Sequence, residues 1–134
     1  MIVDTGILYA LADRDDRHHE AAKVIFSLRE SRTVPEPVIV ETDWLILERL
    51  GVDAEIAFLE GLAEGTFGVE VPNRIDRMRA TQLVTQYREL KIGYVDAVTV
   101  AIAERSQESR IATLDRRHFG VIRPTHVESF EILP

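Results

Sequence analysis

The chain reads as an α/β protein, with a small parallel sheet covered by helices. Three observations lead there. Short runs of apolar, β-branched residues alternate with segments whose apolar residues recur at helical spacing. Two of those runs, Ile2-Val3 and Arg110-Ile111-Ala112-Thr113-Leu114, are each followed at once by an aspartate, Asp4 and Asp115. The segment 94–106 is apolar nearly all round, as a helix packed on several sides must be.

Ile2 and Val3 suit a strand buried on both faces. Thr5-Gly6 interrupt them, and a helical pattern runs from Ile7 to Ala12. Asp4, at the junction, has two readings. One is a carboxylate in the crevice at the carboxyl end of a sheet; the other is an N-cap for the helix that follows. Asp15 and Asp16 are good starts for a helix over 17–29, with Ala21, Val24, Ile25 and Leu28 as its stripe. Thr33-Val34, bounded by Pro35 and Pro37, predicts a short strand, because proline cannot donate to a ladder. Pro37 suits the first turn of the next helix, which ends at Gly51. Asp53 then reads as the cap of a helix over 54–64 with Ile56, Leu59 and Leu62 inward. A strand over 67–71 and a helix over 74–90 follow, the latter with Ile75, Met78, Leu83, Val84 and Tyr87 apolar. After a turn at 91–93 come the buried helix 94–106, the strand 110–114 and a last short strand at 131–133. There is no repeat or linker, so residues 1–134 are expected to form one domain.

Hydrophobic content of 46% and charged content of 29% are those of an ordinary globular protein. Cysteine is absent, which excludes disulfides and thiolate zinc sites. No apolar stretch is long enough to cross a membrane and no signal peptide is recognisable, so a cytoplasmic location without membrane association is expected. The net charge of −7 argues against nucleic acid as a partner. Its distribution softens that: from Arg105 onward Arg105, Arg110, Arg116, Arg117 and Arg123 outnumber Glu108, Asp115, Glu128 and Glu131. Arginine suits bidentate phosphate contacts and surface ion pairs alike.

Four acids stand where such a fold would gather them. Asp4 and Asp115 follow strands, Asp96 lies in the first turn of the buried helix, and Glu41 follows Val38-Ile39-Val40 near a helix start. Anions so close together repel and raise one another's pKa, which calls for a cation. A hard divalent ion, Mg²⁺ or Mn²⁺, is the natural partner of carboxylates and can activate water against a phosphodiester. Each acid taken singly is also an ordinary cap or turn former. Thr5 and Thr113 flank the acids as hydrogen-bond donors, or are plain cap and strand residues. His118 either touches substrate phosphate or belongs to a surface ion-pair cluster with Arg116 and Arg117. His18-His19 lacks metal-ligand spacing and reads as an exposed face, and Trp44 as core or interface packing.

Ile2-Val3-Asp4-Thr5, Val40-Glu41-Thr42-Asp43-Trp44, Gly93-Tyr94-Val95-Asp96-Ala97 and Thr113-Leu114-Asp115-Arg116-Arg117-His118-Phe119 together resemble PIN-domain ribonucleases. More narrowly, they resemble the toxins of VapBC-type toxin–antitoxin pairs. The resemblance covers the whole chain and implies a three-layer α/β/α fold. It implies Asp4, Glu41, Asp96 and Asp115 as the acidic site, with Asp4 and Asp96 the main Mg²⁺ ligands. Thr113 corresponds to the family's hydroxyl residue near the last acid, and Arg116 and Arg117 are candidate phosphate contacts. Gly6 departs from the family, which often has Ser or Asn there. Also implied are an endoribonuclease acting on structured RNA such as tRNA or ribosomal RNA, a homodimer, and a cognate antitoxin. The helix over 54–64 and the stretch from Ala21 to Leu28 are docking surfaces for it, or are buried in the monomer.

Alternatives divide on particular residues. A phospho-acceptor receiver domain needs an acidic pair after the first strand and a late lysine; Thr5 follows Asp4 and no lysine follows Lys91. A haloacid-dehalogenase-like phosphatase needs a second aspartate where Gly6 stands. A metal-dependent DNA nuclease uses the same metal chemistry as a ribonuclease, and a non-catalytic PIN-like RNA-binding module would not need all four acids.

Overall fold

A computed structural model describes residues 1–134. In chain order the elements are β1 (Ile2–Val3), α1 (Thr5–Ala12), α2 (His19–Ser27), β2 (Thr33–Pro35), α3 (Glu36–Leu50), α4 (Val52–Ala63), β3 (Gly68–Glu70), α5 (Arg74–Gln86), α6 (Tyr94–Ser106), β4 (Arg110–Ala112), α7 (Arg116–Phe119) and β5 (Glu131–Leu133). The five strands form one sheet in the order β3-β2-β1-β4-β5, and every pairing is parallel. The predicted fold class therefore holds.

Successive strand side chains point to opposite faces, and the core divides accordingly. Ile2 and Ile111 enter one apolar cluster with Val98, Ile102, Leu83, Phe119 and Ile122, under α5 and α6. Val3 and Ala112 enter the other with Ile7, Leu8, Ile25, Val34 and Val38, under α1, α2 and α3. Helices thus cover both faces, giving three layers. Fully burying one such aliphatic side chain contributes roughly 1.5–3 kcal/mol. Pro35 is tolerated in an interior strand because the β1–β2 ladder is registered only at Ile2 and Thr33, so no partner waits for its missing N–H.

The all-apolar segment forms α6 as expected, and residues 97–103 of it are buried without a break. Several finer expectations need correction. Ile56 and Leu59 were expected inward, yet they are 49% and 43% exposed, and α4 has no buried residue. This helix carries two apolar stripes, and it turns Ala54, Ala57, Phe58 and Gly61 toward α1 and α2 instead. The residue before α4 is Gly51, in the left-handed region, and Asp53 lies inside its first turn. On α5, Ile75, Met78 and Val84 are exposed; small Ala80 and Leu83 pack on α6, and the helix ends at Gln86 rather than 90. Asp76 is buried there because it closes a capping box with Asn73 and pairs with Arg105. The α2 stripe is carried by Ala22 and Ile25, with Val24 exposed. His18 and His19 are half-buried, and His19 Nδ1 lies 2.8 Å from the Ala10 carbonyl oxygen, tying α2 to α1. Trp44 is exposed, which removes its core reading.

Candidate active site

The chain runs from β1 outward through β2 to β3, then returns to the other side of β1 as β4 and β5. The order therefore reverses between β1 and β4. At such a switch point the following segments diverge, leaving a crevice at the carboxyl ends of the two strands. Asp4 and Thr113 stand at its two lips. The Asp4 N–H donates to the Ala112 carbonyl and the Thr113 N–H to the Leu133 carbonyl, each at 2.9 Å.

The side chains then interlock. The Thr113 hydroxyl donates to Asp4 Oδ2 at 2.7 Å and accepts from the Asp115 N–H at 2.9 Å. Asp115 N-caps the short α7, accepting the His118 N–H at 2.9 Å. Gly120 ends that turn, where an added Cβ would lie 2.5 Å from the Arg116 carbonyl oxygen. From the first turn of α6, Asp96 brings Oδ2 to 2.7 Å from His118 Nδ1, and Asp115 Oδ2 lies 3.0 Å from the same nitrogen. Carboxylates in this state only accept, so Nδ1 carries the proton and bridges the two. On the far wall, α3 supplies Glu41, whose Oε2 accepts the Thr5 hydroxyl at 2.5 Å. A Cβ at Gly6 would lie 3.3 Å from the Leu114 side chain, a tight contact.

Electrostatics follow from this crowding. Burial pushes the Asp4 carboxyl up to about 6 from its ordinary 3.8; the Thr113 hydroxyl opposes that, and the charges of Asp96 and Glu41 add to it. Asp96 is also raised, first by burial, against the opposing contact from His118 and with further push from Asp115 and Glu41. Asp4 occupies the N-cap position of α1 without the side-chain capping bond, and its carboxyl takes only the Thr5 N–H from that helix. Asp4 is buried, and the charges of Asp96 and Glu41 crowd its carboxyl, which makes it a group in want of a cation.

The four acids Asp4, Glu41, Asp96 and Asp115 thus lie with Thr113 about one crevice. Asp96, Asp115 and His118 form the tightest group, their oxygen and nitrogen atoms within 4.8 Å of one another, with His118 Nδ1 engaged by both carboxylates. His118 is the residue whose place sequence reasoning missed; its signal was the three-residue spacing from Asp115, which sets both on one side of a single helical turn. The exposed Arg116 donates to the Pro134 carbonyl oxygen, and Arg117 is exposed beside it. The hard, oxygen-rich donors fit a divalent cation such as Mg²⁺ or Mn²⁺.

Comparison with known proteins agrees with this arrangement. The PIN domain family matches residues 1–123. Ribonuclease VapC26 of Mycobacterium tuberculosis is 37% identical over 135 residues, with each chain covered completely. The crystal structure of VapC20 from the same organism, described as a sarcin–ricin loop cleaving toxin, superposes with a TM-score of 0.83 at 22% identity, covering 94% of this chain and 97% of that one. With four acids gathered at the β1/β4 switch point and a relative matched end to end, the chain belongs to the PIN-domain family and, within it, to the VapC ribonucleases.

Proposed function

We propose that this chain, acting as one domain over residues 1–134, is a Mg²⁺-dependent endoribonuclease toxin of a toxin–antitoxin pair. Mn²⁺ substitutes for Mg²⁺, and the target is structured RNA, either tRNA or ribosomal RNA, in the cytoplasm. The observation that carries this is the crevice itself: a buried Asp4, raised to about 6, faces Asp96 and Glu41 with Asp115 joined through Thr113. That arrangement favours a bound cation. No helix is long and apolar enough to cross a membrane.

The roles follow from position. Asp4 and Asp96 would hold the cation, directly or through water, and Asp115 would complete the set. A divalent ion there would neutralise charge on a phosphoryl oxygen and lower the pKa of water. Thr113 fixes the Asp4 rotamer and the Asp115 backbone together, so the two lips keep their spacing. Glu41, exposed and anchored by Thr5, orients the attacking water; its oxygen bonds to phosphorus as the P–O bond to the leaving ribose oxygen breaks, the water gives up a proton to solvent and the leaving oxygen takes one from it. His118 holds Asp96 and Asp115 at a common separation. Arg117, with Arg116, meets the flanking phosphates.

Two surfaces support the partners. An apolar groove of about 230 Å³ between α1, α2 and α4, lined by Leu8, Leu11, Phe26, Phe58 and Phe67, suits an apolar segment of the cognate antitoxin. The exposed stripe Val52, Ile56 and Leu59 on α4 suits a homodimer. The test is induced expression in cells with mapping of new RNA 5′ ends. A discrete cut in one tRNA or ribosomal RNA, absent for Asp96→Asn, is expected. Absence of any cut, or cleavage of DNA in preference to RNA by the purified chain, overturns the proposal.

A further inference from the structure

A cleft of about 500 Å³ opens beside the acids, between α3, α5 and the start of α6. Glu41 lines it, so it is continuous with the catalytic crevice. Its walls carry two aromatic side chains that the fold leaves uncovered, Trp44 at 61% and Tyr94 at 50% exposure. Their places in sequence are informative. Trp44 is three residues after Glu41 on α3, hence on a neighbouring face, and Tyr94 precedes Asp96 by two residues in the first turn of α6. Both rings are therefore within about one helical turn of a site carboxylate. Arg77 supplies the one cation of the lining, while Glu36 and Glu41 supply carboxylates.

That chemistry selects among occupants. The two carboxylates repel a phosphate placed deep in the cleft, whereas a flat heterocycle with N–H groups meets acceptors and aromatic faces together. Single-stranded RNA is recognised in this way, by stacking splayed bases on aromatic side chains. The volume lies within the roughly 300–1,000 Å³ range of small-molecule sites. Resting on the ribonuclease reading above, we propose that this cleft receives one unpaired nucleobase adjoining the scissile phosphate, stacked on Trp44 and Tyr94, with Arg77 at its mouth meeting a neighbouring phosphate. The substrate class is sharpened accordingly: the cut lies next to a base that is free to leave its helix, as in a loop or bulge.

Trp44 is the sole tryptophan of the chain, so its fluorescence reports on this cleft alone. The full chain carrying Asp4→Asn, which leaves the strand uncut, is titrated with single-stranded RNA decamers and with an abasic ribose-phosphate decamer of the same length. Saturable quenching by RNA and little by the abasic strand is expected. In steady-state cleavage, Trp44→Ala should raise KM roughly 5- to 100-fold, the range for losing one base stack, with kcat moving less and Trp44→Phe restoring most of the loss. Equal quenching by the abasic strand, or an unchanged KM in Trp44→Ala, overturns the inference while wild-type cleavage leaves the ribonuclease reading intact. A shift of Trp44→Ala from dimer to monomer in sedimentation, with KM unmoved, assigns the cleft to a second copy of the chain and also overturns it. Failure of the wild type to cut any RNA removes both readings at once.

Discussion

Replacing Asp4 by asparagine should stabilise the metal-free protein. The Asp4 carboxyl stands at about 6 in the fold against 3.8 in the unfolded chain, which amounts to about 3 kcal/mol set against the ionised folded form. The sign follows from proton counting. Between pH 3.8 and about 6 the folded protein holds a proton that the unfolded chain has lost, so stability falls as pH rises through that window. Above it the loss is complete; at pH 5 about half of it is present. Asparagine carries no charge and keeps an oxygen to accept the Thr113 hydroxyl. Its amide N–H groups need partners, a cost of about 1 kcal/mol or more. The net gain is then about 1–2 kcal/mol at pH 7.5, or an increase in Tm of about 3–8 °C. The assay is thermal unfolding followed by circular dichroism in EDTA at pH 7.5 and pH 5. Saturating Mg²⁺ should narrow or reverse the gap, because a cation bound to the fold stabilises the wild type more. A variant no more stable than wild type at pH 7.5 in EDTA would refute the reasoning. So would a gap that fails to shrink at pH 5.

Other expectations concern the groups around Asp4. Thr113→Val removes the hydroxyl that joins Asp4 to the Asp115 N–H and should cost about 1–3 kcal/mol in urea unfolding, with Thr113→Ser recovering most of it. His118→Ala frees Asp96 from Asp115 and should weaken Mn²⁺ binding in titration calorimetry roughly 10- to 100-fold, the range for losing an orienting partner of a ligand. Unchanged affinity would leave His118 a packing residue. Arg117→Gln should weaken RNA binding and lower the slope of log K against log salt by about one phosphate contact, as filter binding across a salt series would measure.

The gathering of the acids was legible in the sequence because two rules acted together. Apolar strands that end in aspartate place carboxylates at one sheet edge, and a helix buried on every side cannot carry Asp96 in its first turn without directing it to that same edge. What was hidden is local or depends on what covers a surface. The single turn α7 has no periodicity to read; it exists because Asp115 caps it, and without it His118 has no fixed direction. The structure adds a tight group of Asp96, Asp115 and His118 beside the pair Asp4 and Asp96 read from the sequence, whose charges bear on each other. Likewise, a helical stripe such as Ile56 and Leu59 shows which residues share a face, but not whether the monomer covers it. On α4 and α5 it does not, because Phe58 and the smaller residues take the inward positions.

The central claim is that the carboxylates act on RNA through a bound divalent ion. Its most direct test is cleavage of purified tRNA and ribosomal RNA by the wild type and by Asp96→Asn, with Mg²⁺, with Mn²⁺ and with excess EDTA. Discrete products are predicted for the wild type with either metal, and none in EDTA or for the variant, whose circular dichroism should remain that of the folded protein. Cleavage that persists in EDTA, or at full rate in folded Asp96→Asn, would contradict the account.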